Sequence, residues 1–277
     1  MGIWEAIWKS AVLGTVQGLT EFLPVSSSGH LTLLQRILGY NLGGAGMNFV
    51  NILLHFGTLL AVIFVFWKDI LALFKKPFKT LLMLIVATIP AGVVGILFDD
   101  KIEGIFNPDS NAAWLCWLAV FFAFTAFILL LTEFISSRKK KVSPLGWRHS
   151  VPMGFAQAVA LFPGISRSGS TIAAGVISGA KRDEVAKFSF LMSIPVILGS
   201  LAVEVYHLIK PAEGVTVAIE TSGIIGMIVG VVFSAVAGFF AIKVMLKVIR
   251  KGNYKWFSLY LVLLSLTCFW LNVLGVL

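Results

Sequence analysis

Residues 17–30 read QGLTEFLPVSSSGH and residues 157–170 read QAVALFPGISRSGS, so one Ser/Gly-rich pattern occurs twice, ungapped, 140 positions apart. Gln, Phe, two serines and a glycine coincide. Weaker echoes follow at nearly the same offset: Ile85-Val86 with Ile228-Val229, Gly95 with Gly238, and Trp114 with Trp256. Each copy precedes three apolar stretches, 48–67, 78–98 and 113–134 in the first and 185–209, 222–242 and 256–276 in the second. About 20 apolar residues cross a hydrocarbon core of roughly 30 Å, so all six are candidate spans. A chain that is 58% hydrophobic and 13% charged, with mean hydropathy +0.95, has the bilayer as its solvent. Three crossings per copy is an odd number, so the second copy must stand upside down relative to the first. The expected fold is therefore all-α: one polytopic membrane domain over 1–277, with repeat halves 1–140 and 141–277.

Loop charge gives the same alternation independently. Lys68, Lys75, Lys76 and Lys79 against Asp69 mark the first loop as cytoplasmic, while Asp99, Asp100, Glu103 and Asp109 against Lys101 mark the next as external. Arg138, Lys139, Lys140, Lys141 and Arg148 return the chain to the cytoplasm after the third span. Lys181, Arg182 and Lys187 start the fourth span inside, Glu213 and Glu220 follow it outside, and Lys243, Lys247, Arg250, Lys251 and Lys255 bracket the next inner turn. Both termini are then external. The formal charge of +9 lies in these short loops, where it orients spans rather than binding nucleic acid. Residues 1–5 carry no basic region ahead of a cleavage site, so no removable signal is expected. Cys116 and Cys268 fall inside spans and are expected to pack, not to pair or bind metal.

The repeated segments are too short and too broken to cross. Residues 4–23 are apolar, Pro24 and three serines interrupt, and only 31–38 is apolar again. Each copy is expected to form a re-entrant helical hairpin. Non-helical backbone at membrane depth survives only against protein or a wet cavity, so the two hairpins should meet inside the molecule. Each Ser/Gly turn leads into a helix N-terminus, with free N–H groups and a positive dipole end suited to an anion.

On this shared template the reactive positions differ: Glu21 faces Leu161, Ser27 faces Arg167, and His30 faces Ser170. The first break offers a carboxylate, serines and an imidazole; the second offers a guanidinium framed by Ser166, Ser168, Ser170 and Thr171. Together they suit a phosphoryl group. A guanidinium between apolar segments is costly unless paired or wet, and its planar fork matches phosphate oxygens. The alternatives for Arg167 are a structural pair with Glu21 or an arginine reaching for the interface. Gln17 and Glu21, at i and i+4, share a helical face and can hold a cation, orient a water, or simply line a helix contact. His30 is a candidate base, proton donor or phosphoryl acceptor, and Ser27 a candidate nucleophile. Ser26, Ser28, Ser166 and Ser168 are candidate phosphate ligands whose default role is helix capping. His55, Glu133, Glu204 and His207 have no partner cluster in the sequence and are read as packing or interface residues.

At GTVQGLTEFLPVSSSGH (residues 14–30) and LFPGISRSGST (residues 161–171) the chain resembles the bacterial undecaprenyl-diphosphate phosphatases of the bacitracin-resistance type. An [E/Q]-x-x-x-E motif is met by Gln17 and Glu21, a P-G-x-S-R-S-x-x-T motif from Pro163 to Thr171, and the P-V-S-S-[ST]-G-H run is complete. The likeness extends to the span pattern and to FSFLMSIP at residues 188–195. It implies a bacterial plasma-membrane enzyme that removes the terminal phosphate of undecaprenyl diphosphate, regenerating the lipid carrier of cell-wall synthesis, with the site toward the outer face. It also implies a divalent cation, Mg2+ or Ca2+. By position, Glu21 would serve the metal or the base, His30 and Ser27 the nucleophilic step, and Arg167 the phosphate. Gln17 stands where many members carry a second glutamate, which counts against a mechanism needing two carboxylates there. The rival reading is a polyprenyl-phosphate flippase or secondary transporter, since inverted repeats with broken helices mark that class. A transporter needs binding groups but no nucleophile and base.

Overall fold

A computed structural model describes residues 2–40, 44–106, 113–138, 142–209 and 221–276. Asp109, Lys139, Lys140, Lys141, Glu213 and Glu220, used above for loop charge, lie outside the described residues, as do the side chains of Asp99, Asp100, Glu103 and His207. Eleven helices run in order: α1 (Ile3–Phe22), α2 (Ser27–Ile37), α3 (Gly44–Val65), α4 (Trp67–Leu73), α5 (Lys79–Phe106), α6 (Trp114–Arg138), α7 (Trp147–Val159), α8 (Arg167–Ile177), α9 (Arg182–Ile209), α10 (Thr221–Lys251) and α11 (Lys255–Leu274). The described residues contain no strand, only an isolated bridge between Ser143 and Ala180.

Six of these helices, α3, α5, α6, α9, α10 and α11, are long and apolar enough to cross a membrane, and the chain is a multi-pass membrane protein. They coincide with the six apolar stretches but overrun them. α5 carries on through Asp99, Asp100 and Glu103, and α10 through Lys243, Lys247 and Arg250, which the loop-charge reading had assigned to turns. An apolar window marks only the hydrocarbon slab, whereas a helix satisfies its own backbone and keeps going where water can solvate its charges.

Contacts among the helix ends fix the directions of the spans. Lys187 donates to Asp69 at 2.9 Å, Arg250 to Asp183 at 3.0 Å, Arg182 to Ser136 at 2.9 Å, and the Tyr254 N–H to Glu133 at 3.1 Å. One end of the bundle therefore holds the close of α3, α6 and α10 together with the start of α9 and α11. The first span of the N-terminal part ends where the first span of the C-terminal part begins. Corresponding spans run in opposite directions.

Packing between the two parts is exchanged: α1 lies along α10, and α7 along α5. Small residues allow this closeness, as expected where apolar lipid removes the hydrophobic drive and tight van der Waals contact must hold helices together. A Cβ on Gly14 would run into the Gly230 carbonyl, and one on Gly18 would stand 2.5 Å from the Ser234 carbonyl oxygen. On the other side a Cβ on Gly154, 140 positions after Gly14, would stand 2.6 Å from the Ala87 carbonyl oxygen. α6 and α11 pack together, tied by Ser258 and Ser265 hydroxyls donating to the Ala126 and Ala119 carbonyls at 3.0 and 2.7 Å. Cys268 is buried among these core residues and, like Cys116, is a free thiol.

Candidate functional site

Both repeated segments form a helix, a short break and a second helix. α1 stops at Phe22 because Pro24 forces the preceding Leu23 into extended backbone, φ −72° and ψ 145°. Ser26 then takes φ 67°, a left-handed conformation that costs a non-glycine residue about 1 kcal/mol or more. α7 stops at Val159, and its break turns at Gly164, φ 96°, where no side chain opposes the same hand.

The breaks are hydrogen-bonded to each other. The Gly164 N–H donates to Ser26 Oγ at 3.1 Å, and Ser168 Oγ donates to the Leu23 carbonyl at 2.9 Å. Thr125 on α6 braces the second break from behind: its Oγ1 donates to the Gly164 carbonyl and accepts from the Ser166 N–H, both at 3.1 Å. The irregular backbone thus finds its partners in protein, as a buried break requires. Ser26 and Ser166 cap α2 and α8, accepting from the Gly29 and Gly169 N–H groups at 3.4 and 3.1 Å. Ser28 stands 3.4 Å from Ser26, and Ser168 3.3 Å from Ser166. All four serines do structural service, with two helix N-termini converging beside them.

Glu21 is the hub of the polar cluster and is buried. One carboxylate oxygen is paired with Arg167 of the opposite break. The other accepts from Ser27 Oγ at 2.6 Å and from Gln17 Nε2 at 3.0 Å. Arg167 also reaches the Ser189 carbonyl on α9 at 3.4 Å, and Ser189 is in turn 2.6 Å from the Thr171 hydroxyl. Four of the expected site residues, Gln17, Glu21, Ser27 and Arg167, therefore meet at one carboxylate, with Thr171 one step behind. Of the alternatives read for Arg167, the structure shows the pair with Glu21, and a phosphate would have to compete with it.

Two histidines depart from the sequence reading. His55, set aside as packing, brings Nε2 to 3.5 Å from the same Glu21 oxygen while its Nδ1 donates to the Asn51 carbonyl at 2.7 Å. Its signal was present in the polar stripe Asn48, Asn51, His55 and Thr58, at three- and four-residue spacing on an apolar span, where an ionisable residue marks a site by default. His30 bonds none of the cluster residues. Its Nδ1 is 2.7 Å from the Ser26 carbonyl and its Nε2 2.6 Å from the Tyr260 hydroxyl. Glu133 serves a backbone N–H of Tyr254, in keeping with an interface role.

The donors around Glu21 bear on the expected cation. Among the described residues no group of three or more His, Cys, Asp and Glu could hold a metal by itself. Gln17 Oε1, however, is buried without a hydrogen-bond partner among the described residues, on a side chain whose amide donates to Glu21. Two such oxygens fit a hard cation that takes its remaining ligands from water and from a bound diphosphate.

Comparison with known proteins adds the family context. A family model described as bacitracin resistance protein BacA matches residues 10–267. An undecaprenyl-diphosphatase of Halothermothrix orenii is 39% identical over 257 residues, covering 92% of this chain and 93% of its own. One from Carboxydothermus hydrogenoformans is 38% identical over 269 residues, covering 97% and 98%. One from Thermotoga maritima is 37% identical over 255 residues, covering 90% and 94%.

Proposed function

The chain belongs to the bacitracin resistance protein BacA family, and on that premise we propose that it hydrolyses undecaprenyl diphosphate to undecaprenyl phosphate and inorganic phosphate at the junction of its two breaks. The enzyme returns the lipid carrier to cell-wall synthesis and thereby confers bacitracin resistance. The observation that carries the site is the Glu21 carboxylate, bound at once to Arg167 from the opposite break and to the Ser27 hydroxyl. A binding protein needs the arginine. A hydroxyl held 2.6 Å from a carboxylate is an addition that suits a reaction.

Substrate arrival changes the pairing. The terminal phosphate competes for Arg167, and the fork that held Glu21 turns to phosphate oxygens. Glu21 is left free to accept the Ser27 proton. Ser27 Oγ then bonds to the terminal phosphorus while the bridging P–O bond breaks and the electron pair leaves on undecaprenyl phosphate. Water then attacks the phosphorus of the phosphoserine as the P–Oγ bond breaks, Oγ taking back the proton held by Glu21 while the water's protons leave on the phosphate. Charge on the transferred phosphoryl is met by Arg167 and by the N-terminal N–H groups of α2 and α8. Gln17 and Glu21 would hold a divalent cation, Mg2+ or Ca2+, which would neutralise diphosphate charge. The helix–break–helix segments are re-entrant in this reading, entering from opposite faces, with both termini and the site's mouth toward the outside. The polyprenyl tail stays in lipid while only the head enters.

Phosphate release from undecaprenyl diphosphate by the purified protein in detergent tests the reading, with Arg167→Ala and Glu21→Ala beside the wild type. Both variants should lose at least about a hundredfold in rate, as expected when an electrostatic group of the transition state is deleted. Wild-type rates in both would remove the site from this junction. Radiolabelled diphosphate quenched early should leave phosphate on Ser27; a fully active Ser27→Ala would transfer the attack to water.

A further inference from the structure

His30 is held from two sides by partners of different kinds. Its Nδ1 lies 2.7 Å from the Ser26 carbonyl, which can only accept, so Nδ1 carries the proton. Its Nε2 lies 2.6 Å from the Tyr260 hydroxyl, and the two rings stack with centroids 5.7 Å apart and planes 11° apart. The third neighbour is the edge of Phe122, at 5.7 Å. In the neutral imidazole Nε2 then carries the lone pair, and the phenol donates to it.

The same position in the other half has no such arrangement. Ser170 replaces His30, and its buried hydroxyl has no hydrogen-bond partner among the described residues. The wall helices differ as well. α6 packs closely on α8 and braces the second break through Thr125, whereas α11 touches α2 sparsely. Thr267, the residue of α11 at the offset linking Trp114 with Trp256, is exposed and bonds back to the Leu263 carbonyl at 2.9 Å. Tyr260, on an exposed face of α11, is thus the hydrogen bond across the seam between α2 and α11 that touches a candidate reacting group.

We propose that Tyr260 is a positioning residue for the hydrolysis: its hydroxyl and ring orient His30, held as the Nδ1–H tautomer by the Ser26 carbonyl, with the Nε2 lone pair aimed along the α2–α11 seam. The proposal rests on the part in the reaction that the family resemblance implies for His30, as base or proton donor beside the attack by Ser27. Without the hydroxyl the ring keeps its bond to the Ser26 carbonyl and its ring contacts but loses the anchor at Nε2, and the productive orientation is populated part of the time.

Histidine-selective 15N NMR in detergent, together with steady-state kinetics, tests this on wild type, Tyr260→Phe and His30→Ala. The chain has four histidines, and the resonances missing from His30→Ala identify His30. In the wild type, Nδ1 should resonate as a protonated nitrogen and Nε2 as an unprotonated, hydrogen-bonded one. Tyr260→Phe, which keeps the ring, should move Nε2 to the free unprotonated position and lower kcat about tenfold with KM within about twofold, the size expected for one lost hydrogen bond. Wild-type kcat in Tyr260→Phe alongside an inactive His30→Ala overturns the proposal alone. An unmoved Nε2 resonance overturns it even where kcat falls, since the loss then does not pass through His30. Wild-type activity in His30→Ala sinks the role of His30 itself.

Discussion

In the first break the left-handed residue is Ser26, at φ 67°, whereas in the second it is Gly164, at φ 96°. The second break is relaxed where it turns, and Thr125 holds it from behind. The first is strained where it turns and has no such brace on α11; what holds it are bonds to the second break and the His30–Tyr260 contact. Strained backbone persists only when its surroundings over-determine it, and such places gather at functional sites. Glu21, Ser27 and His30 all belong to the strained copy, and the braced copy contributes Arg167. On the proposed function, one break is a platform and the other carries the reacting groups.

The sharpest way to break this comparison is to remove the charges that join the copies. Arg167→Ala leaves Glu21 buried without its cation, and cutting one partner of a buried pair costs about 3–5 kcal/mol. Phosphate release should fall by about a thousandfold, with a lowered unfolding temperature in the same detergent. Leu161→Glu, which copies the acidic position into the platform, should not rescue Glu21→Leu, because the residue facing it by repeat is Ser27 rather than an arginine; any recovered phosphate release would show the two breaks to be interchangeable.

Smaller effects concern the frame. Gly14→Ala and Gly154→Ala each drive a methyl group into a carbonyl of the neighbouring helix, at a cost of about 1–3 kcal/mol for overpacking. Thermal unfolding should fall in both, and a loss confined to one would show that the exchanged contacts are unequal. Thr125→Val removes two bonds to the second break and should destabilise by about 1–3 kcal/mol. Thr267→Val, on the exposed face of α11, should change the unfolding temperature least of all. An equal loss in both threonine variants would contradict the assignment of Thr125 as a one-sided brace.

The spans and breaks were legible in the sequence because both follow from local rules. Apolar length sets a crossing, and Pro24, the serines and Gly164 stop a helix wherever they stand. Glu21 with Arg167 was legible as a candidate pair because charge between apolar segments has few tolerable explanations. His55 was misread because it is four residues from its only sequence-near partner, the Asn51 carbonyl, while Glu21 lies on a different helix. His30 was legible as a candidate, but its partner Tyr260 stands 230 positions away on a separate helix.

The sequence by itself determined the six apolar spans, the two breaks and the opposite directions of corresponding spans, since these depend on solvent transfer, backbone stereochemistry and the odd number of spans per copy. Only the tertiary structure decided the exchange of α1 and α7 between halves, the convergence of four groups on Glu21, and the placing of His30 against α11. Those depend on distances between helices far apart in the chain, set by which glycines let backbones touch and which hydroxyls close the breaks.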